Sequence, residues 1–371
     1  MTTIPRGFIE LPVARISPEA AGSVAVTLAI PPAQRAAFDF QPGQFLTLRA
    51  LIDGQDVRRS YSISSPHSLF TQRGELTLGI RPVEGGVFSG WATTQLKAGD
   101  TLQVLPPDGR FTVHRPRAIH RVGFAAGSGI TPILSIMAST LEASPTAKFT
   151  LVYGNRNMAS VMFNEALQDL KDRYRDRLTL IHILSRQAQE VPLLEGRIDG
   201  PKVRALIDAL LPVASMDEVF VCGPAGMIDA TEAALLDAGV KPERIHTERF
   251  LSPGAATPAP RRDAAGRPSA TNATGAGEGP VSLTIVLDGK PHALRMTPAQ
   301  RVLDVALEAG LDLPWSCRGG VCCTCRARVM EGAVEMEKNF TLEDWETRQG
   351  FVLTCQARPT TERVVVSFDE R

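Results

Sequence analysis

The chain has 371 residues, enough for two or three domains, and its 43% hydrophobic and 22% charged residues are typical of a globular protein. Lys+Arg and Asp+Glu each number 40, and the resulting net charge of zero argues against a nucleic-acid-binding protein. No apolar run is long enough for a signal peptide or a membrane span, which predicts a cytoplasmic protein without a membrane partner.

Short segments of alternating polar and apolar residues, separated by Pro- and Gly-rich turns, fill residues 1–116. This pattern is typical of strands. A small antiparallel β-barrel is the natural arrangement for so many short strands. The predicted strands are residues 23–30, 44–51, 75–80 and 101–105.

The sequence pattern changes in residues 117–251, where apolar segments typical of buried strands alternate with segments typical of helices. Alternation of this kind predicts a doubly wound α/β domain with a parallel sheet. The strands are predicted at residues 122–125, 149–153, 178–184 and 218–221, and the first helix at 132–142.

Residues 252–280 contain no Leu, Ile, Val, Met or aromatic residue, so they cannot contribute to a core. We predict a flexible linker, which as a coil would span roughly 30 Å root-mean-square. We expect it to tether a mobile third domain that visits two different partners.

The third domain is predicted at residues 281–371. Asp288-Gly289 stands between two alternating segments, a strong hairpin signal. Residues 297–300 (Thr-Pro-Ala-Gln) resemble a capping box with Pro at the first helical position, and Gly310 is a predicted helix C-cap. A hairpin, a helix and a Cys-rich loop, in that order, indicate a small β-grasp domain.

The Cys-rich loop carries the strongest chemical signal. Cys317, Cys322 and Cys325 form C-x4-C-x2-C, and Cys355 follows. Four thiolates at this spacing match the plant-type [2Fe–2S] pattern, and cysteines in a reducing compartment favour metal or redox chemistry over disulfides. A structural zinc site prefers paired C-x2-C knuckles, of which there is one.

Gly319 and Gly320 leave the loop backbone free to aim N–H groups at sulfur atoms. Cys323 lies between two predicted ligands but is out of register with them. We therefore predict that Cys323 is a small non-ligand thiol.

Arg59-Ser60-Tyr61-Ser62 lies on a predicted strand. Alternation places Arg59 and Tyr61 on one face, where a cation and an aromatic ring could hold a phosphate and stack on a flat ring together. The tetrapeptide alone is equally compatible with an ordinary exposed strand.

Three glycine-containing turns precede helices or end strands. Gly86-Val87-Phe88-Ser89 and Gly127-Ser128-Gly129-Ile130-Thr131 each open a helix, where free N–H groups favour anions. Pro132 replaces the third glycine of the usual dinucleotide fingerprint, so the second turn departs from that pattern. Cys222-Gly223-Pro224 ends a strand of the predicted parallel sheet, although Cys222 could simply be a buried thiol.

The order of RSYS, GGVFS, GSGITP, YGNR, CGP and ERF along residues 5–250 resembles the ferredoxin–NADP reductase superfamily, and the last part of the chain resembles a plant-type ferredoxin. Together they resemble the reductase components of multicomponent oxygenases. Residues 320–357, with YGNR and GRIDG, are similar to the reductase subunits of phenylacetyl-CoA epoxidases.

The resemblance implies a binding role for each motif. It implies FAD bound by Arg59, Ser60, Tyr61, Ser62, Gly86, Val87 and Ser89, with Phe250 near the flavin ring. It implies a nicotinamide nucleotide bound by Gly127, Ser128, Gly129, Thr131, Cys222, Gly223 and Pro224. It implies NADPH in particular, because Ser185-Arg186 matches the family's 2′-phosphate site.

A flavin between NADPH and a [2Fe–2S] cluster would split a hydride into single electrons, so the cofactors supply the chemistry and no catalytic acid or base is predicted. The chain has no pair of Glu-x-x-His motifs placed on helices, so an external di-iron oxygenase is the expected acceptor. The alternatives are another oxygenase, hydroxylase or desaturase as acceptor, or a redox-sensing role.

Overall fold

The structure is a computed structural model that describes residues 7–115, 119–250 and 280–370. The chain divides between residues 255 and 256 into two compact units, which are described separately. The predicted linker lies outside the described residues except for its last residue. The boundary predicted between residues 116 and 117 also lies outside them. The domain limits therefore stay predictions.

The first unit begins with a six-stranded antiparallel sheet in the order β4-β3-β6-β1-β2-β5. A bridge between Ile63 and Leu78 joins its two ends, which closes the sheet into the predicted barrel. The unpredicted β1 contains Pro12 and a register shift after Val13, which disturb the alternation expected of a strand. The elements are β1 (Ile9–Pro18), β2 (Val24–Ala29), β3 (Phe45–Ile52), β4 (Gln55–Ser62), α1 (His67–Arg73), β5 (Glu75–Ile80), α2 (Val87–Thr94) and β6 (Thr101–Val104).

The same unit continues with a five-stranded parallel sheet in the order β11-β10-β7-β8-β9. Two apolar cores cover it, one beneath α3 and α4 and the other beneath α5 and α6, as predicted for a doubly wound domain. The carboxyl ends of parallel strands meet at one edge of the sheet, where ligands bind in such folds. The elements are β7 (His120–Ala126), α3 (Ile130–Ala143), β8 (Lys148–Asn155), α4 (Asn164–Arg173), β9 (Leu178–Leu184), α5 (Gly200–Leu210), β10 (Glu218–Gly223), α6 (Ala225–Asp237) and β11 (Ile245–Arg249).

The barrel and the parallel-sheet domain pack closely at Gly79 of β5. A Cβ atom at Gly79 would lie 2.6 Å from Thr131 Cγ2 and 2.8 Å from Phe163 Cε2. Nearby, the Glu19 carboxylate accepts a hydrogen bond of 2.8 Å from the Phe163 backbone N–H, and Phe163 has a left-handed φ of 58°. The position therefore requires glycine, because any side chain would push the two domains apart.

The second unit contains a mixed sheet in the order β13-β12-β18-β14-β16, in which β12 and β18 are parallel, together with a β15–β17 pair. The predicted hairpin is present: Asp288 and Gly289 have φ of 52° and 72° between antiparallel strands. The unit thus has the predicted β-grasp arrangement. Its elements are β12 (Val281–Leu287), β13 (Lys290–Met296), α7 (Val302–Glu308), β14 (Arg326–Glu331), β15 (Val334–Met336), α8 (Asp344–Arg348), β16 (Phe351–Leu353), β17 (Ala357–Pro359) and β18 (Arg363–Ser367).

The predicted start of α7 is wrong. The Gln300 side chain does accept the Thr297 backbone N–H at 2.8 Å, as a capping box requires. However, the Gln300 backbone N–H bonds back to the Thr297 carbonyl, and Arg301 is extended, so these residues form a turn before the helix. Gly310 follows the C-cap with a left-handed φ of 81°, as predicted. No helix within the described ranges is long and apolar enough to cross a membrane.

Candidate functional site

The face of β4 that carries Arg59 and Tyr61 lies against α2. The Tyr61 ring centroid is 5.6 Å from that of Phe88, and burial raises the pKa of the Tyr61 phenol well above its usual value. Arg59 is exposed beside it. Ser60 points elsewhere, because its Oγ lies 3.1 Å from Thr47 Oγ1 on β3. The structure therefore places Arg59 and Tyr61 on one face of β4, whereas the Ser60 side chain contacts β3 of the same hairpin.

The turn before α2 is tight. A Cβ atom at Gly86 would lie 2.6 Å from Ser89 Oγ and 3.0 Å from the Val83 carbonyl oxygen. Ser89 accepts the Val83 N–H at 3.2 Å and so holds the turn closed, while Val87 at the helix start is 48% exposed. No acidic residue lies in the first helical turn. These features fit the pyrophosphate of FAD.

A second glycine turn, Gly127–Gly129, connects β7 to α3. Gly127 has a left-handed φ of 53°, and its carbonyl accepts the Tyr153 hydroxyl at 2.9 Å. A Cβ atom at Gly129 would lie only 2.1 Å from the carbonyl oxygen of Cys222 on β10. The turn therefore packs so closely against the end of β10 that position 129 has no room for a side chain.

Arg81 lies over this turn and was not predicted. A Cβ atom at Gly127 would be 2.5 Å from Arg81 Nη1, so the guanidinium lies directly against the turn. Thr131 donates its hydroxyl to the Ser128 carbonyl at 3.0 Å, which fixes the start of α3. A cation beside a helix start fits the pyrophosphate of a nicotinamide nucleotide.

Ser62, Cys222 and Glu248 meet where the barrel joins the parallel sheet. Ser62 Oγ donates to Glu248 Oε2 at 3.0 Å, and Cys222 pairs in register with Glu248 between β10 and β11. Burial raises the pKa of Glu248 to about 8, although the Ser62 hydrogen bond opposes the change. Burial and the nearby Glu248 raise the pKa of the Cys222 thiol. Both groups therefore favour their neutral forms at neutral pH.

Sequence reasoning missed Glu248. The residue lies in the ERF motif, but its partner Ser62 is 186 positions away. Phe250, two residues further, is 38% exposed after the end of β11. Gly223 and Pro224 follow Cys222 at the same sheet edge, and Pro224 is the N-cap of α6.

Two arginines lie together at the ends of β8 and β9. The Arg186 backbone N–H donates to the Arg156 carbonyl at 2.8 Å, and both residues are exposed. Ser185 is anchored beside them by its N–H bond of 3.0 Å to the Asn155 carbonyl. Two exposed arginines with adjoining backbones, next to a serine, could together bind a phosphate monoester.

The four predicted cluster ligands form two thiol pairs. The Cys322 thiol lies next to that of Cys317, and the Cys325 thiol lies next to that of Cys355. Among the described residues, no three His, Cys, Asp or Glu side chains converge on a point where one metal ion could bind. Two neighbouring pairs of thiols could hold a [2Fe–2S] cluster.

The loop backbone faces these sulfur atoms. The Gly319 N–H donates to Cys317 Sγ at 3.3 Å, and the Gly320 N–H points at Cys355. The Cys322 thiol and the surrounding backbone N–H groups lower the pKa of the Cys317 thiol. Cys323 has a different environment: its Sγ lies 3.1 Å from Thr341 Oγ1 within the apolar core. This position supports its predicted role as a non-ligand.

Three domain families match the chain. The oxidoreductase FAD-binding domain matches residues 20–113, the oxidoreductase NAD-binding domain residues 124–233, and the 2Fe-2S iron-sulfur cluster binding domain residues 285–360. The protein is therefore an oxidoreductase with FAD, nicotinamide nucleotide and [2Fe–2S] sites.

Two relatives match the chain over nearly its whole length. A subunit of the 1,2-phenylacetyl-CoA epoxidase of Escherichia coli (strain K12) is 41% identical over 368 residues, 98% of each chain. The ferredoxin reductase component of 3-ketosteroid-9-alpha-monooxygenase from Mycolicibacterium smegmatis is 36% identical over 380 residues, 100% of each. Phthalate dioxygenase reductase has the same fold, with a TM-score of 0.57 at 21% identity and 98% coverage of each chain. The chain belongs to the family of FAD- and [2Fe–2S]-containing oxygenase reductases that includes this epoxidase component.

Proposed function

We propose that the protein oxidises NADPH and delivers single electrons, through FAD and its [2Fe–2S] cluster, to a di-iron oxygenase that epoxidises phenylacetyl-CoA. The observation that carries this proposal is the 41% identity to the Escherichia coli epoxidase component across all three modules. A bound flavin accepts two electrons as hydride and releases them one at a time, which couples a hydride donor to a one-electron cluster. A cytoplasmic location is part of the proposal.

The residues of the first unit would position the two reactants. Arg59 and the N–H groups after Gly86 would hold the flavin pyrophosphate, while Tyr61 would pack against the ring. The Gly127–Gly129 turn and Arg81 would hold the nucleotide pyrophosphate. The close approach of Gly129 to Cys222 supports this arrangement, because it brings the pyrophosphate turn and the end of β10 to one place.

The junction of Ser62, Cys222 and Glu248 would surround the point of hydride transfer. Because burial keeps the Glu248 carboxyl protonated at neutral pH, the junction adds no negative charge where the flavin gains electrons. Ser62 holds this carboxyl in place at 3.0 Å. None of the three side chains needs to act as an acid or base in the transfer itself.

The preference for NADPH rests on Arg156 and Arg186, which lie side by side at the exposed ends of β8 and β9. A 2′-phosphate carries two negative charges at neutral pH, and NADH lacks it. Guanidinium groups that reach this phosphate would therefore favour NADPH over NADH.

A reconstituted reaction tests the proposed acceptor. We expect the purified protein to contain about two irons and two sulfides per chain. With NADPH it should reduce an artificial one-electron acceptor and support epoxidation of phenylacetyl-CoA by a purified di-iron epoxidase. Rapid reduction of the artificial acceptor without epoxidation would show a reductase for another oxygenase. Failure of both reactions would favour a redox sensor.

The second candidate acceptor is another oxygenase, and the 36% identity to the 3-ketosteroid-9-alpha-monooxygenase component favours it. The same assay with that monooxygenase as acceptor separates the two candidates. The proposal requires that NADPH-coupled turnover be faster with the epoxidase than with the monooxygenase.

A further inference from the structure

Gln356 follows the cluster ligand Cys355 and is only 1% exposed. Its amide Nε2 lies 2.9 Å from the Arg318 carbonyl oxygen, 2.9 Å from the Cys355 carbonyl oxygen and 3.5 Å from Cys355 Sγ. All three neighbours are hydrogen-bond acceptors. The amide nitrogen must therefore face them, since the reverse orientation would place its oxygen against two carbonyl oxygens.

The other end of this amide has no partner. Gln356 Oε1 is buried, and no donor reaches it among the described residues. The unpaired oxygen destabilises the fold, whereas the two hydrogen bonds from the amide nitrogen to carbonyl oxygens stabilise it. The N–H end of the amide, which also lies 3.5 Å from Cys355 Sγ, therefore explains why glutamine occupies this position.

The amide also connects two distant parts of the cluster loop. Arg318 directly follows the ligand Cys317 and has a left-handed φ of 53°, which is unfavourable for a residue with a side chain. Its carbonyl is held by Gln356, 38 residues further along the chain. The bond therefore fixes the segment after the first ligand relative to the fourth ligand.

We propose that Gln356 is a positioning residue for the cluster, whose amide N–H donates to Cys355 Sγ and makes one-electron reduction of the cluster more favourable. Reduction adds one negative charge to the cluster, and part of that charge resides on the ligand sulfurs. A hydrogen bond to a ligand sulfur stabilises the reduced state more than the oxidised state. The inference rests on the cluster-binding role of the second unit and not on the identity of the oxygenase.

The test is the midpoint potential of the cluster in the full-length protein, followed by the paramagnetic signal of the reduced cluster. Gln356→Met and Gln356→Leu remove the donor at similar size, and Gln349→Leu is a matched control at an exposed glutamine of the same unit. We expect both Gln356 variants to retain iron and sulfide and to be reduced about tenfold less favourably, a potential lower by about 59 mV for one electron. The control should keep the wild-type potential.

Thermal unfolding separates tuning from structural damage. Because Gln356→Met removes the unpaired oxygen but also the donor to the Arg318 and Cys355 carbonyl oxygens, we expect its unfolding midpoint to lie at or slightly below that of the wild type. A wild-type potential in a cluster-containing variant would overturn the proposal. Loss of the cluster from both variants would also overturn it, since Gln356 would then be required for assembly. If the protein fails to support the epoxidase, the proposed function is wrong, but the expected shift in the cluster potential of the Gln356 variants is unaffected.

Discussion

The clearest prediction concerns the pH dependence of flavin reduction, through Glu248. With a pKa of about 8, this carboxyl is about 90% protonated at pH 7 and about 10% protonated at pH 9. A carboxylate within about 6 Å of the flavin would oppose its gain of negative charge by about 3 kcal/mol at an effective dielectric constant of 20. The ionised form would then contribute almost nothing to the rate.

The rate of flavin reduction by NADPH should therefore fall about tenfold between pH 7 and pH 9, following the protonated fraction. Anaerobic stopped-flow measurement of flavin absorbance gives this rate directly. Glu248→Gln carries a neutral amide at every pH, so its profile should be flat across this range. Glu243→Gln, at an exposed position, is the matched control and should keep the wild-type profile. If the profile of Glu248→Gln still shows an inflection near pH 8, Glu248 is not the group whose ionisation slows flavin reduction.

Three further predictions follow from the binding sites. Alanine at any one of the four predicted ligand cysteines should abolish the paramagnetic signal of the reduced cluster, whereas Cys323→Ala should keep it; loss of the signal in Cys323→Ala would show that the ligand register is wrong. Arg186→Ala should raise the KM for NADPH by about 10- to 150-fold and leave the KM for NADH nearly unchanged, and equal effects on both would exclude contact with the 2′-phosphate. Gly129→Ala should destabilise the first unit by about 1–3 kcal/mol in urea unfolding, because its Cβ would meet the Cys222 carbonyl at 2.1 Å; wild-type stability would mean that the turn can move away.

Local patterns in the sequence predicted much of the fold. Asp288-Gly289 specifies its hairpin from two adjacent residues, and the three domain types follow from the spacing of strands, helices and cysteines. The start of α7 was less predictable, because the Thr297–Gln300 hydrogen bond closes either a helix or a turn. The backbone of Arg301 decides between them.

The parts of the site that escaped prediction depend on distant contacts. Glu248 is unremarkable in sequence until Ser62 is placed 3.0 Å from it by the fold. Arg81 likewise matters only because β5 ends beside the Gly127 turn. Gln356 adjoins a predicted ligand, but its role depends on the carbonyl of Arg318 reaching it.

The contact at Gly79 has a consequence for engineering by module exchange. A reductase with altered cofactor preference could be made by joining this barrel to a foreign nucleotide-binding domain. However, Gly79 of the barrel packs against Thr131 and Phe163 of the nucleotide-binding domain of the same chain. The Glu19 carboxylate of the barrel also accepts a hydrogen bond from the Phe163 backbone. A donor domain with a smaller residue at 163 would leave an apolar hollow, and a barrel with a side chain at 79 would reject the native domain. In a chimera of these reductases, the residues at positions 19, 79, 131 and 163 should therefore all come from the same parent protein, wherever the two sequences are joined.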